Sequence, residues 1–334
     1  MKTVALISGG LDSILAARLI KEQLVSVIPL YFKIPFCHKK SSSNKLDAMA
    51  RSFLGESLSV IELGEPYLEI IRNPRHGVGS NMNPCIDCKI LMLRRAAEFM
   101  REQEAAFIVT GEVLGQRPMS QQKKALEAIA RFAGLEGFIL RPLSAQLLPE
   151  TIPEREGWIK RERLLGFSGR SRKPQIELAE SFGITEYAQP AGGCLLTDPE
   201  FARRLKEVIA HDELNMDNIE LLKLGRHFRL AQDAKLVVGR NEKENSQLLG
   251  LAREGDYIFS PAEDLAGPAA LGRGLFTQEL TRLACSITSR YCDLNGKKEA
   301  EIFYARVAQA LPNQEKRPLR VFPAKEEEIN NLRI

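Results

Sequence analysis

Val4-Ala5-Leu6-Ile7-Ser8-Gly9-Gly10-Leu11-Asp12-Ser13 is the stretch on which the fold turns. Four apolar residues in succession predict a strand buried on both faces. The glycine pair ends that strand, and Ile14, Leu15, Leu19 and Ile20 then recur at helical spacing. A strand that runs through glycines into a helix is a place for an anion. Glycine lets the backbone approach without a Cβ, successive amides can point at the ligand, and the helix N-terminus adds partial positive charge. Ser8 and Ser13 contribute hydroxyls. Asp12 is out of place beside a phosphate unless it holds a magnesium ion or braces the loop. No Gly-Lys-Ser/Thr follows at the required spacing, so this is not a Walker A loop. A bare Gly-Gly turn with a serine cap would mean little, but the six-residue string at the first strand is specific.

Outward from this point the first half alternates. Strands are expected at 25–32, 58–63, 106–110 and 137–140, and helices at 46–54, 88–101 and 122–132. That order predicts an α/β, doubly wound parallel sheet with right-handed crossovers, whose ligands sit at the carboxyl ends of the strands. From about residue 202 the texture changes. Strands near 235–238 and 256–260 and a helix over 278–290 suggest a second, smaller α+β domain. The expected division is 1–200, 201–312 and a tail, 313–334, whose Lys-, Glu- and Pro-rich composition predicts poor packing.

The chain has 334 residues and a formal net charge of only +4. A global polyelectrolyte effect is excluded, so any nucleic acid must be met by local patches. One is the run holding Lys160, Arg161, Arg163, Arg170, Arg172 and Lys173; another holds Arg226, Arg229, Lys235 and Arg240. A solvated helical face is the plainer alternative for the first. No apolar run of about 18 residues could span a bilayer. No secretory leader is seen, and six cysteines are too few for a disulfide scaffold of this size. A cytoplasmic protein with reduced thiols is expected, with no membrane partner.

Cys85 and Cys88 form a Cys-x-x-Cys at the mouth of the long helix, and Cys194 follows Gly192-Gly193. Cys37, Cys285 and Cys292 lack such context and read as buried or incidental thiols. Zinc would need a fourth ligand, for which only Cys37 with His38 offers itself. The four histidines have no metal or triad spacing. His227 is at most an RNA contact, and Trp158 in its basic stretch reads as a packing residue.

Ser8 to Ser13 resembles the SGGxDS signature of the PP-loop ATPases, which cleave ATP between the α and β phosphates. Within that family three further segments narrow the likeness. Gly111 to Gln121 and Ile139-Leu-Arg-Pro-Leu143 resemble the matching parts of 4-thiouridine synthetases. Asn83-Pro84 with Cys88 is similar to the Asn-Pro…Cys loop of 2-thiouridylases. Cys-x-x-Cys plus one distant cysteine also resembles the cluster-dependent tRNA thiolases. Together these cover about residues 1–200. Nothing ahead of the loop corresponds to the N-terminal RNA-binding domain of 4-thiouridine synthetases, and the β-barrel of 2-thiouridylases is not evident. Gly225-Arg226-His227-Phe228 and Val238 to Glu242 resemble an RNA-binding module of ribosome-quality-control proteins.

The resemblance implies an ATP-dependent tRNA sulfurtransferase that uses ATP and Mg2+. Ser8, Gly9, Gly10, Leu11, Asp12, Ser13, Gly111 and Gln116 would bind the nucleotide, and Cys88, Cys194 and Asp12 would carry the chemistry. Two sulfur chemistries fit. Either Cys88 or Cys194 carries a persulfide and the other closes a disulfide, or Cys85, Cys88 and Cys194 hold a 4Fe-4S cluster with one iron open to hydrosulfide. The third cysteine favours the cluster. The helix N-terminus beside Cys88 is expected to lower its thiol pKa. The implied partners are tRNA and a sulfur donor, either sulfide or a cysteine desulfurase, with a homodimer left open. The competing readings are a PP-loop enzyme thiolating a small molecule and a nucleotide-switched RNA-binding adaptor. The three-cysteine constellation argues against the second, since an adaptor has no need of it.

Overall fold

The computed structural model describes residues 1–37, 43–185, 187, 194–308 and 316–334. His38 and Gly192-Gly193 lie outside the described residues. The chain divides into two units, Met1–Asp198 and Pro199–Ile334.

The first unit is built on β1 (Lys2–Leu6), β2 (Ser26–Lys33), β3 (Ser59–Glu62), β4 (Phe107–Thr110) and β5 (Ile139–Leu140). All pair in parallel, in the order β3-β2-β1-β4-β5. Its helices are α1 (Leu11–Lys21), α2 (Ser43–Leu54), α3 (Glu65–Arg72), α4 (Cys85–Glu102), α5 (Lys123–Ala133), α6 (Ile152–Arg155) and α7 (Lys173–Ser181). The winding reverses between β1 and β4, which opens a crevice at their carboxyl ends, where doubly wound sheets take ligands. Continuous apolar runs explain the strands: all four residues of β4 are buried, because helices cover both faces. Leu11, Leu15, Ile20, Phe107 and Val109 share one core, and Trp158 packs on it with its ring 6.4 Å from that of Phe107. Helix α3 is not legible in the sequence. Its apolar face is only Tyr67, Leu68 and Ile71, too short a period to separate from a loop.

The second unit holds a six-stranded antiparallel sheet in the order β11-β10-β8-β9-β7-β6. The strands are β6 (Arg226–Ala231), β7 (Ala234–Val238), β8 (Tyr257–Pro261), β9 (Ala270–Gly274), β10 (Ala300–Arg306) and β11 (Arg317–Val321). Its helices are α8 (Pro199–Ala210), α9 (Met216–Leu222), α10 (Glu242–Gly250), α11 (Gln278–Ser289) and α12 (Glu326–Asn330). The expectation of a poorly packed tail is corrected here. Strand β11 pairs with β10 and buries Val321, while α12 buries Ile329. Composition misled because β11 is an edge strand: Pro318 and two arginines are tolerated where one side of the ladder is open.

Candidate active site

The loop after β1 bends through Gly9, whose φ of +78° favours glycine. A Cβ there would also stand 2.6 Å from Leu46 Cδ2. Ser8 and Ser13 tie the loop together. The Ser8 amide donates to Ser13 Oγ at 3.1 Å, the Gly10 amide to Ser8 Oγ at 3.3 Å, and Ser13 Oγ–H to the Gly10 carbonyl at 2.8 Å. Leu11 and Asp12 stand in the first turn of α1, where helical geometry supplies no carbonyl for their amides. From the neighbouring strand end, Gly111 presses onto this turn: a Cβ at 111 would lie 2.5 Å from the Asp12 carbonyl carbon and the Ser13 amide nitrogen. Only glycine allows that approach.

Asp12 is held on one side only. Gln116 Nε2 donates to its Oδ2 at 3.1 Å, while Oδ1 is buried with no partner among the described residues. Burial raises its carboxyl pKa, against the Gln116 hydrogen bond and the charges of Arg172 and Arg117. An unpartnered carboxylate oxygen at a phosphate loop fits a hard cation such as Mg2+.

The cysteines meet across the loops. Cys85 and Cys88 open α4, and Cys194 stands as an antiparallel β-bridge partner of Cys37. Around this bridge the Leu195 amide donates to the Phe36 carbonyl at 2.9 Å. Negative charge on Cys85 or Cys194 bears on Cys88, and charge on Cys85 or Cys37 bears on Cys194. Tertiary pairing thus sets Cys37, expected as a buried or incidental thiol, beside Cys194. Cys285 is buried in the second unit's core, as expected of a structural thiol. The expected lowering of the Cys88 thiol is also corrected. Burial pushes it up to about 12, against the Tyr67 hydroxyl, and pushes Cys194 up to about 11. Desolvation outweighs the helix dipole here. Among the described residues no three His, Cys, Asp or Glu side chains stand in metal-holding geometry. As donors, three thiols without a fourth protein ligand fit an iron–sulfur group better than zinc.

Two residues link the sites. Glu112 follows Gly111 and is buried between Lys89, the residue after Cys88, and Arg141 at the end of β5. Arg141 Nε donates to its Oε2 at 2.9 Å, and Thr110 Oγ1–H donates to the same oxygen at 3.2 Å. Burial works to raise the Glu112 carboxyl, but the Lys89 and Arg141 charges prevail and hold it at about 2. Arg117 completes the link, since its charge bears on both Asp12 and Cys194. None of Lys89, Glu112, Arg117 or Arg141 is expected as a site residue from the sequence. An acid directly after a loop glycine and a lysine directly after a cysteine are the signals that could have found them. His76 adds a brace at the cysteine helix, its Nδ1 2.7 Å from Asp87 Oδ1.

The basic residues divide. Lys160, Arg163, Arg170, Lys173 and Arg240 are exposed, and Arg172 lies by Asp12. Arg161 is spent internally, donating to Glu154 Oε1 at 2.5 Å and to the Leu148 carbonyl at 3.0 Å. Arg226 lies 4.4 Å over the Tyr291 ring and donates to the Gly239 carbonyl. Arg229 is corrected: its guanidinium is 13% exposed and ion-paired with Glu207 and Glu213, so it holds the fold instead of RNA. His227 is buried and kept neutral by burial and the nearby Lys235 and Arg204 charges, so it plays a structural part.

Residues 1–147 match the family described as thiamine biosynthesis protein (ThiI), and residues 225–333 match the NFACT protein RNA binding domain. A probable tRNA sulfurtransferase of Staphylococcus epidermidis is 26% identical over 244 residues, covering 70% of this chain and 54% of that protein. One of Methanosarcina mazei is 32% identical over 119 residues, covering 34% of this chain and 29% of that protein. The chain thus spans about half the length, or less, of these curated relatives. A 4-thiouridine synthetase solved with RNA and ATP aligns with a TM-score of 0.43 at 21% identity, covering 66% of this chain and 52% of that one. The two family likenesses fall on separate stretches, residues 1–147 being similar to the ThiI family and residues 225–333 to the NFACT RNA binding domain.

Proposed function

We propose that this chain is an ATP-dependent tRNA sulfurtransferase, which adenylates a uridine carbonyl oxygen and replaces it with sulfur. One observation carries the reading: Gly111 packs on the Asp12 turn while the next residue, Glu112, is bridged to Lys89 beside Cys88. The turn at Asp12 and the start of the cysteine helix are thereby tied to two consecutive residues, which supports their acting together. That is what a reaction needs when it must activate a poor leaving group and then deliver sulfur to the same carbon.

The uridine oxygen attacks the α-phosphorus of ATP, the α–β bond breaks, and pyrophosphate leaves. Ser8 to Ser13 hold the phosphates, and Arg117 and Arg172 offset the charge that develops. Mg2+ on Asp12 would neutralise phosphate charge. Sulfur then attacks the ring carbon, and AMP departs with the former carbonyl oxygen. If a persulfide on Cys88 delivers the sulfur, the Cys194 thiol attacks Cys88 Sγ, the S–S bond to the transferred atom breaks, and a thiol reductant must reopen the resulting disulfide. A 4Fe-4S cluster held by Cys85, Cys88 and Cys194 would instead supply a binding site for hydrosulfide. The exposed arginines and lysines and the likeness of residues 225–333 to an RNA binding domain support tRNA as the acceptor. A cysteine desulfurase, passing on its own persulfide sulfur, would load Cys88 in the persulfide route, and sulfide would serve the cluster route.

Mass spectrometry of tRNA nucleosides from a strain lacking the chain tests this. One thionucleoside should disappear and return with the intact gene, but not with Cys88→Ala or Cys194→Ala, both of which should still bind ATP. An unchanged set of thionucleosides defeats the reading.

A further inference from the structure

Tyr67 is fully buried, yet its hydroxyl has no nitrogen or oxygen partner among the described residues. A hydroxyl left unsatisfied in an interior is costly, and a native fold that keeps one reserves it for something. Its surroundings show for what. Helix α3 packs on α4, the helix opened by Cys85 and Cys88. The Tyr67 ring lies 5.5 Å from that of Phe36, whose carbonyl anchors Leu195 beside the Cys37–Cys194 bridge. Tyr67 therefore stands under both halves of the cysteine set. Its hydroxyl faces the Cys88 thiol.

We propose that Tyr67 is the hydrogen-bond donor to the anionic sulfur carried at Cys88, holding that sulfur in place until the activated carbon arrives. The assignment rests on the sulfurtransferase reading. A buried site such as that of Cys88 disfavours a sulfur anion, and one charge-assisted donor offsets part of that cost. Phenylalanine is the clean replacement, since it keeps the ring on Phe36 and removes only the unpartnered hydroxyl.

Three readouts on the full chain test the proposal. Tyr67→Phe should melt close to wild type, because no hydrogen bond to a nitrogen or oxygen of the described residues is removed, and a substantially lower melting temperature would mark a structural role and overturn the proposal. ATP–pyrophosphate exchange dependent on tRNA should be unchanged while sulfur transfer falls about 10- to 100-fold, as for the removal of one hydrogen bond to a charged group. Equal transfer overturns the proposal. After anaerobic treatment with 35S-labelled polysulfide and desalting, wild type should retain label that Cys88→Ala loses and Tyr67→Phe holds several-fold less. Equal retention, or none in wild type, also overturns it. A wild-type chain that retains label but thiolates no tRNA would sink the sulfurtransferase reading and leave the role of Tyr67 standing.

Discussion

Asp12 shows how much one side chain can declare. In the proposed phosphate loop its negative charge is out of place, and one of its oxygens is buried without a partner among the described residues while Gln116 holds the other. Asp12→Asn should fold normally but lose about 10²–10³-fold in adenylation, the scale expected for removing a pre-organised electrostatic interaction. Titrating Mg2+ into the exchange assay checks this, because the defect should shrink as the metal rises if Asp12 serves that ion. Asp12 and the loop hydroxyls can be read from residue order, since strand, glycines and helix follow one another directly. Tyr67 and Cys37 cannot. A tyrosine in a short helix and a lone cysteine after Phe36 carry no local pattern, and each gains meaning only from what folds against it.

At the scale of elements, the pairing of α4 with the end of β4 matters most. Lys89, Glu112 and Arg141 bring a helix and two strand ends to one buried carboxylate. Because the folded-state pKa of Glu112 is depressed to about 2, its contribution is fully present above the unfolded value near 4.5 and is lost as pH falls from there toward 2. Glu112→Gln should therefore cost about 3 kcal/mol at neutral pH, since it strands the buried Arg141 and the partly buried Lys89. It should also remove that acid-dependent loss, which equilibrium unfolding at a series of pH values between 7 and 2 reads directly. If the variant's stability falls with pH as steeply as wild type's, Glu112 is not the group responsible. The same variant should uncouple the half-reactions, with adenylation persisting while sulfur transfer declines. The strands of the parallel sheet are readable because burial on both faces writes them as apolar runs. Strand β11 is not, because an edge strand may carry Arg and Pro and look like a tail.

For the whole molecule, the modest +4 hides an uneven distribution. Arg240→Glu removes an exposed cation and should weaken tRNA binding with a shallower dependence on salt, by roughly one unit in log–log slope for each phosphate that the protein no longer neutralises. Arg229→Ala should behave differently. It opens the ion pairs with Glu207 and Glu213, so calorimetry should show the second unit melting earlier, whereas an unaltered melt with a reduced salt slope would return Arg229 to the RNA surface. Residue order alone dictated the doubly wound sheet and the glycine turn from its first strand into α1, because period, glycine and helix start are local properties written over ten residues. Which thiols meet, which arginines are spent on carboxylates and which hydroxyl is buried without a nitrogen or oxygen partner among the described residues depended on packing between segments up to more than a hundred residues apart, as with Cys37 and Cys194. Burial and pairing are properties of neighbours in space, and no stretch of chain carries them by itself.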